Sequence, residues 1–146
     1  GADEIDAVLE PRADDPSFPG ELEVAKLAAM REASRGTVLK VILESSLLSA
    51  EQLRAVSKMA LEADADFIKS STGKRGKCSD EAAVILAEEV QRQGGGKGVK
   101  LSGGVSTKED AERLIALVRG RDASLMSNTR LRIGASSLVR ALVSET

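Results

Sequence analysis

Short apolar runs alternate along this chain with longer segments whose apolar residues recur every three or four positions. The two periods predict strands and helices in strict alternation. Ile5-Asp6-Ala7-Val8-Leu9 reads as a strand, and Glu21 to Ala33 as a helix. Val38 to Leu43 is a β-rich run followed by a helix opening at Ser49, where Ser49 and Gln52 have capping-box spacing. Phe67 to Ser71 is the next strand, and its helix starts near Ser79 with Ala82, Ile85 and Leu86 on one face. Gly98 to Ser102 is a strand running into Gly103-Gly104. Ser106 and Glu109 then supply a second capping box ahead of the stripe Ala111, Leu114, Ile115, Val118. Leu131 to Gly134 is a last strand, with a short helix expected from about Ser137.

Five strand–helix units indicate a parallel sheet whose crossovers are helices. A (β/α)8 TIM-type barrel of about 250 residues is built from units of this length. An open, doubly wound sheet of five strands would also suit 146 residues. Periodicity leaves both open. In the barrel reading, residues 1–146 form a single domain, the C-terminal portion of the barrel, supplying about its last five βα units. Such a piece is expected to expose two sheet edges and an apolar face where three strands are missing. The chain opens on Gly1 just before a strand, which suggests a processed or partial polypeptide.

Three strands carry a lysine among apolar residues: Lys40 in Val-Leu-Lys-Val-Ile, Lys69 in Phe-Ile-Lys-Ser-Ser and Lys100 in Gly-Val-Lys-Leu-Ser. A single strand lysine usually snorkels to the surface or faces a carboxylate. Three on successive strands of a parallel sheet could instead converge at the C-terminal end of a barrel. A free lysine, with pKa about 10.4, is a poor nucleophile at neutral pH, and bringing it near 7 takes roughly 4 kcal/mol. A second cation at about 4 Å supplies a term of that size at an effective dielectric near 20. Lys100 beside Lys69 would therefore be physically adequate to activate an amine. Asp6, inside the first strand, is the candidate for a proton relay. It could equally be a counter-ion for a nearby lysine.

Three glycine-bearing turns end successive strands: Ser70-Ser71-Thr72-Gly73-Lys74, Ser102-Gly103-Gly104 and Gly134-Ala135-Ser136-Ser137. Glycine and serine mark ordinary turns in most proteins. Together, each after a strand, these turns point to an anion site built from backbone N–H groups, with Lys74 as a point charge and a phosphorylated small molecule as ligand. Gly94-Gly95-Gly96-Lys97-Gly98 precedes a strand and reads as a connector.

Composition narrows the chemistry further. With net charge -2, no Trp or Tyr and only two Phe, the chain lacks both the basic field and the stacking platform that nucleic acid would need. It has no apolar run long enough for a membrane span. The single cysteine, Cys78, fits a cytoplasmic setting. Having no histidine removes the commonest general base and metal ligand, so catalysis would rest on lysines, carboxylates or hydroxyls with no metal and no cofactor.

Lys-Val-Ile-Leu-Glu-Ser (40–45), Ala-Asp-Phe-Ile-Lys-Ser-Ser-Thr-Gly-Lys (65–74), Gly-Val-Lys-Leu-Ser-Gly-Gly-Val-Ser-Thr (98–107) and Arg-Ile-Gly-Ala-Ser-Ser (132–137) resemble the deoxyribose-phosphate aldolase family. Gly-Ala-Asp-Glu-Ile-Asp (1–6) resembles the segment entering that family's fourth strand. The resemblance implies a (β/α)8 barrel and a class I aldolase that reversibly cleaves 2-deoxyribose 5-phosphate to acetaldehyde and glyceraldehyde 3-phosphate. By position Lys69 would form the Schiff base, Lys100 would be the second lysine that lowers its pKa, and Asp6 would join the proton relay. Gly73, Lys74, Gly103, Gly104, Gly134, Ser136 and Ser137 would line the phosphate end, and Lys40 would support an ionic network. The chain departs from the family at Leu101-Ser102, where Pro-Ala is usual, at Ser70 in place of Thr, and at Leu9-Glu10-Pro11. The missing strands imply a complementing chain or a homo-oligomer as partner. A non-catalytic relative serving as a protein-interaction module is the alternative.

Overall fold

The computed structural model describes residues 1–135 and Val143; the helix expected from Ser137, and Ser136 and Ser137 themselves, lie outside the described residues. The elements are β1 (Glu4–Val8), α1 (Glu21–Ala33), β2 (Val38–Ile42), α2 (Ala50–Glu62), β3 (Phe67–Lys69), α3 (Asp80–Gln93), β4 (Gly98–Ser102), α4 (Lys108–Arg121) and β5 (Leu131–Gly134). All neighbouring strands pair in parallel, in the order β1-β2-β3-β4-β5. A doubly wound sheet reverses its strand order and places helices on both faces. Here the order never reverses, and α2 packs on α3 and α3 on α4 along one face. This is the winding of a barrel wall.

Local sequence chemistry accounts for the helix starts. At α2, Ser49 Oγ accepts the Gln52 N–H at 3.1 Å and the Gln52 side chain accepts the Ser49 N–H at 3.0 Å. At α3, Ser79 Oγ accepts the Ala82 N–H at 3.0 Å. The expected cap of α4 is displaced by one residue. Thr107, not Ser106, is the N-cap, and its Oγ1 accepts the Asp110 N–H at 3.0 Å. The Asp110 carboxylate accepts the N–H groups of both Thr107 and Ser106, so it fills the role expected of Glu109. Ser-Thr and Glu-Asp stand side by side there, and spacing alone cannot choose the register. The first strand also begins one residue earlier than expected. The third ends at Lys69, two residues earlier than expected.

Each strand alternates between two environments. Leu39, Val41, Ile68, Val99 and Leu101 face the helices and meet Leu27, Leu53, Val56, Ala83, Leu86, Leu114 and Val118 in one core. The opposite face is not the apolar surface expected. It carries Glu4, Asp6, Lys40, Lys69, Lys100 and Arg132, joined in ion pairs. Period-two alternation forces this result: once the aliphatic positions turn to the helices, the intervening charges must line the concave side. Among the described residues no helix is long and apolar enough to cross a membrane.

Candidate active site

Parallel register brings the lysines together. Asp6 stands opposite Lys40 in the β1–β2 pair, and Lys69 opposite Lys100 in the β3–β4 pair. Asp6 gathers all three. Its Oδ1 accepts from Lys40 Nζ at 3.1 Å, while its Oδ2 accepts from Lys69 Nζ at 2.9 Å and from Lys100 Nζ at 3.0 Å. Burial would raise the Asp6 pKa, but hydrogen bonds from Lys69, Lys100 and Lys40, with the attraction of the Lys69 charge, hold it far below the usual carboxylate range. Two amines thus reach one oxygen of an ionised carboxylate.

A second layer supports the first. Lys40, with a side chain only 5% exposed, also donates to Glu4 Oε2 at 2.8 Å. Glu4 pairs in turn with Arg132, and hydrogen bonds from Arg132 and Lys40 lower its pKa from 4.5 to about 2. The Arg132 guanidinium lies 5.1 Å from the Phe67 ring centroid. The sequence reading named neither Glu4 nor Arg132 as site residues. Both alternate with residues it did name, Asp6 and Gly134, and strand periodicity would have placed them on the same face.

Above the amines lies a groove of about 410 Å³, lined by Lys69, Lys100, Gly73, Lys74, Gly103, Gly104 and Gly134, together with Thr72 and Ser102. Seven of the expected site residues therefore meet in one depression, with Asp6 and Lys40 beneath them in the ionic network. Ser136 and Ser137 lie outside the described residues. Two glycines have steric reasons. A Cβ at Gly103, where φ is +97°, would come within 2.9 Å of the Gly76 carbonyl oxygen. A Cβ at Gly134 would stand 3.1 Å from Ser102 Cβ and 3.3 Å from Lys100 Cε, crowding the amine.

The turn after β3 differs from expectation in how it presents its amides. The N–H groups of Thr72, Gly73 and Lys74 are satisfied internally by Glu44 Oε1, Ser71 Oγ and Thr72 Oγ1, at 2.6, 2.9 and 3.2 Å. This turn contributes a fixed scaffold and the Lys74 side chain to the groove. The ends of β3 and β4 are stitched together by Ser70 and Ser102, two of the positions at which the chain departs from the expected family pattern. Ser70 Oγ donates to the Ser102 carbonyl at 2.8 Å and accepts the Ser102 N–H at 2.9 Å, and Ser102 Oγ donates to the Ser71 carbonyl. A third departure, Glu10, forms a two-pronged pair with Arg75, both contacts at 3.0 Å. Cys78 is buried, its Sγ donates to the Ser79 carbonyl at 3.5 Å, and burial pushes its thiol pKa up.

A larger depression, about 590 Å³, lies between α2 and α3 on the outer face. Its principal charges are mutually paired, Arg54 with Glu89 and Glu89 with Arg92, and it has no part in the lysine cluster.

No family model matches the chain. The deoxyribose-phosphate aldolase of Mycolicibacterium paratuberculosis is 43% identical over 138 residues, covering 89% of this chain and 58% of that protein. The resemblance read from the motifs is borne out, and the chain spans a little over half the length of that curated relative. The deoxyribose-phosphate aldolase of Aeropyrum pernix, whose structure is described as a unique tetramer, is 25% identical. It superposes with a TM-score of 0.71 over 100% of this chain and 57% of that one. An apo-form crystal structure from Toxoplasma gondii ME49, of a protein assigned as a deoxyribose-phosphate aldolase, is 18% identical and superposes with a TM-score of 0.88. It covers 99% of this chain and 60% of that one, and it bears on the fold alone. The parallel five-stranded sheet with its alternating helices is the part of a (β/α)8 barrel that those structures share with this chain.

Proposed function

We infer, from the kinship of this chain with deoxyribose-phosphate aldolase over most of its length, that it carries the Schiff-base centre of a class I aldolase acting on 2-deoxyribose 5-phosphate. The observation that supports this reading most directly is that Lys69 and Lys100 donate to the same oxygen of Asp6 on the floor of a glycine-lined groove.

In the proposed cycle the neutral Lys69 amine attacks the aldehyde carbon of the open-chain sugar, and the resulting carbinolamine loses water to give an iminium ion. Loss of the proton from the C3 hydroxyl then breaks the C2–C3 bond. Its electron pair moves into the iminium, leaving an enamine on Lys69 and releasing glyceraldehyde 3-phosphate. Protonation of the enamine at C2 and addition of water to the iminium release acetaldehyde and restore the amine. Asp6 would exchange protons with the two amines, both of which already reach its Oδ2. Lys100 would supply the second positive charge, and Lys40, with Glu4, would keep Asp6 in place. Gly73, Lys74, Gly103, Gly104 and Gly134 would form the phosphate end. Ser136 and Ser137 keep that proposed role from the sequence.

Residues 1–146 would act as one domain, the last five units of the barrel, with the remaining wall supplied by further sequence, a complementing chain or a homo-oligomer. A cytoplasmic role in deoxyribose phosphate catabolism follows from that substrate. Borohydride reduction in the presence of acetaldehyde tests the assignment. The expected result is a reduced two-carbon adduct on Lys69. A fully assembled protein that traps none would be a non-catalytic relative, and the aldolase reading would fall.

A further inference from the structure

Glu44 ends the Lys-Val-Ile-Leu-Glu segment, and the aldolase chemistry above leaves it unused. Its backbone adopts φ 53° and ψ 58°, the left-handed region that residues with a Cβ rarely enter. Its side chain is fully buried. Strain of this kind persists only where the surroundings over-determine it. Here they do. The Glu44 carboxylate accepts the Thr72 N–H at 2.6 Å and stands 3.2 Å from Thr72 Oγ1, with Arg75 Nε at 3.6 Å. Thr72 Oγ1 accepts the Lys74 N–H. Arg75 is gripped from the far side by Glu10, and its carbonyl accepts from Ser46 Oγ at 2.8 Å. The segment just past β2 therefore holds the turn that follows β3 at Thr72 and Arg75.

We propose that Glu44 is a positioning residue for the anion end of the groove: its buried carboxylate shapes the Thr72-Gly73-Lys74 turn and thereby sets where Lys74 meets a phosphoryl group. The left-handed backbone is what lets one residue just past β2 turn its carboxylate across to the neighbouring strand's loop. Arg75 balances the buried negative charge, which leaves Lys74 to the groove that it lines. The inference deepens the reading above and rests on its phosphate end, not on the Schiff base.

Inorganic phosphate is the probe, titrated against the full polypeptide carrying this chain. Glu44→Gly removes the carboxylate while relieving the backbone, so folding is expected to survive. Its phosphate affinity should fall by about ten-fold or more, while acetaldehyde trapping at Lys69 persists. Glu44→Gln keeps a side-chain oxygen for the Thr72 N–H and should recover most of the affinity. With the phosphorylated sugar, KM should rise in Glu44→Gly with little change in kcat. Phosphate affinity in Glu44→Gly within about two-fold of the parent would overturn the proposal. So would equal loss of phosphate binding and of trapping in both variants, because that marks a general structural role. If the parent traps no acetaldehyde but its phosphate affinity responds to Glu44 as described, the aldolase reading fails and the positioning role stands.

Discussion

Glu4 and Arg132 form an ion pair although they lie on the first and last strands of the sheet, 128 positions apart. Four inter-strand steps in a flat sheet would separate those strands by about 19 Å, beyond the combined reach of the two side chains. The pair forms because the sheet curls. The same curvature brings Asp6 on β1 to Lys69 on β3 and Lys100 on β4. A carboxylate two or three strands away becomes their shared partner.

Replacing Lys69 with Ala should abolish the borohydride-trapped adduct and sugar cleavage while leaving the circular dichroism spectrum unchanged. The lysine lines the groove and pairs with Asp6, and it is not part of the hydrophobic core. Retained turnover would refute its assignment as the nucleophile.

Lys100→Met preserves side-chain length and removes the second amine. If Lys100 acts as proposed, its loss is expected to slow imine formation by roughly 100-fold or more, as general acid–base contributions run. Single-turnover trapping rates at Lys69 measure it, and a rate equal to the parent's would remove Lys100 from the mechanism.

Gly134→Ala tests the steric argument. The added methyl would lie 3.3 Å from Lys100 Cε and 3.1 Å from Ser102 Cβ, so Lys100 must shift. Trapping should slow, with a stability cost of about 1–2 kcal/mol in urea unfolding. Unaltered kinetics would mean that the lysine accommodates the methyl freely.

Asp6→Asn leaves one oxygen and no charge for three lysines, of which Lys40 is the most buried. The expected loss is about 1–3 kcal/mol, below the range for a fully buried pair because Asp6 is partly open to solvent. Denaturant unfolding at neutral pH reads it directly.

Acid should loosen the fold through the same network. Glu4 titrates near 2 in the folded protein against 4.5 ordinarily, and Asp6 is likewise depressed. Both must bind protons at higher pH when unfolded, so their contribution is complete above about pH 4.5 and disappears as pH falls towards 2. A melting-temperature series between pH 6 and 2 should show this decline, with a shallower slope in Glu4→Gln. An identical slope in that variant would exclude Glu4 as a contributor.

Much of the architecture was legible because it rests on local rules. Alternating periods marked the five strands and four of the helices, and Ser49 and Ser79 marked two helix starts by residue type. The cap of α4 slipped by one residue because adjacent hydroxyls and adjacent carboxylates compete on nearly equal terms. The apolar face expected for an incomplete barrel is charged instead, because the aliphatic positions of each strand turn to the helices and leave the lysines and carboxylates on the other side.

By itself the sequence determined which residues alternate and which strands carry a lysine, since these depend on neighbours within a few positions. Only the tertiary structure decided that Asp6 binds three lysines at once, that Glu4 meets Arg132, and that Glu44 reaches into the turn after β3. Those contacts join different strands, and their distances follow from register, curvature and one left-handed residue, which no linear spacing encodes.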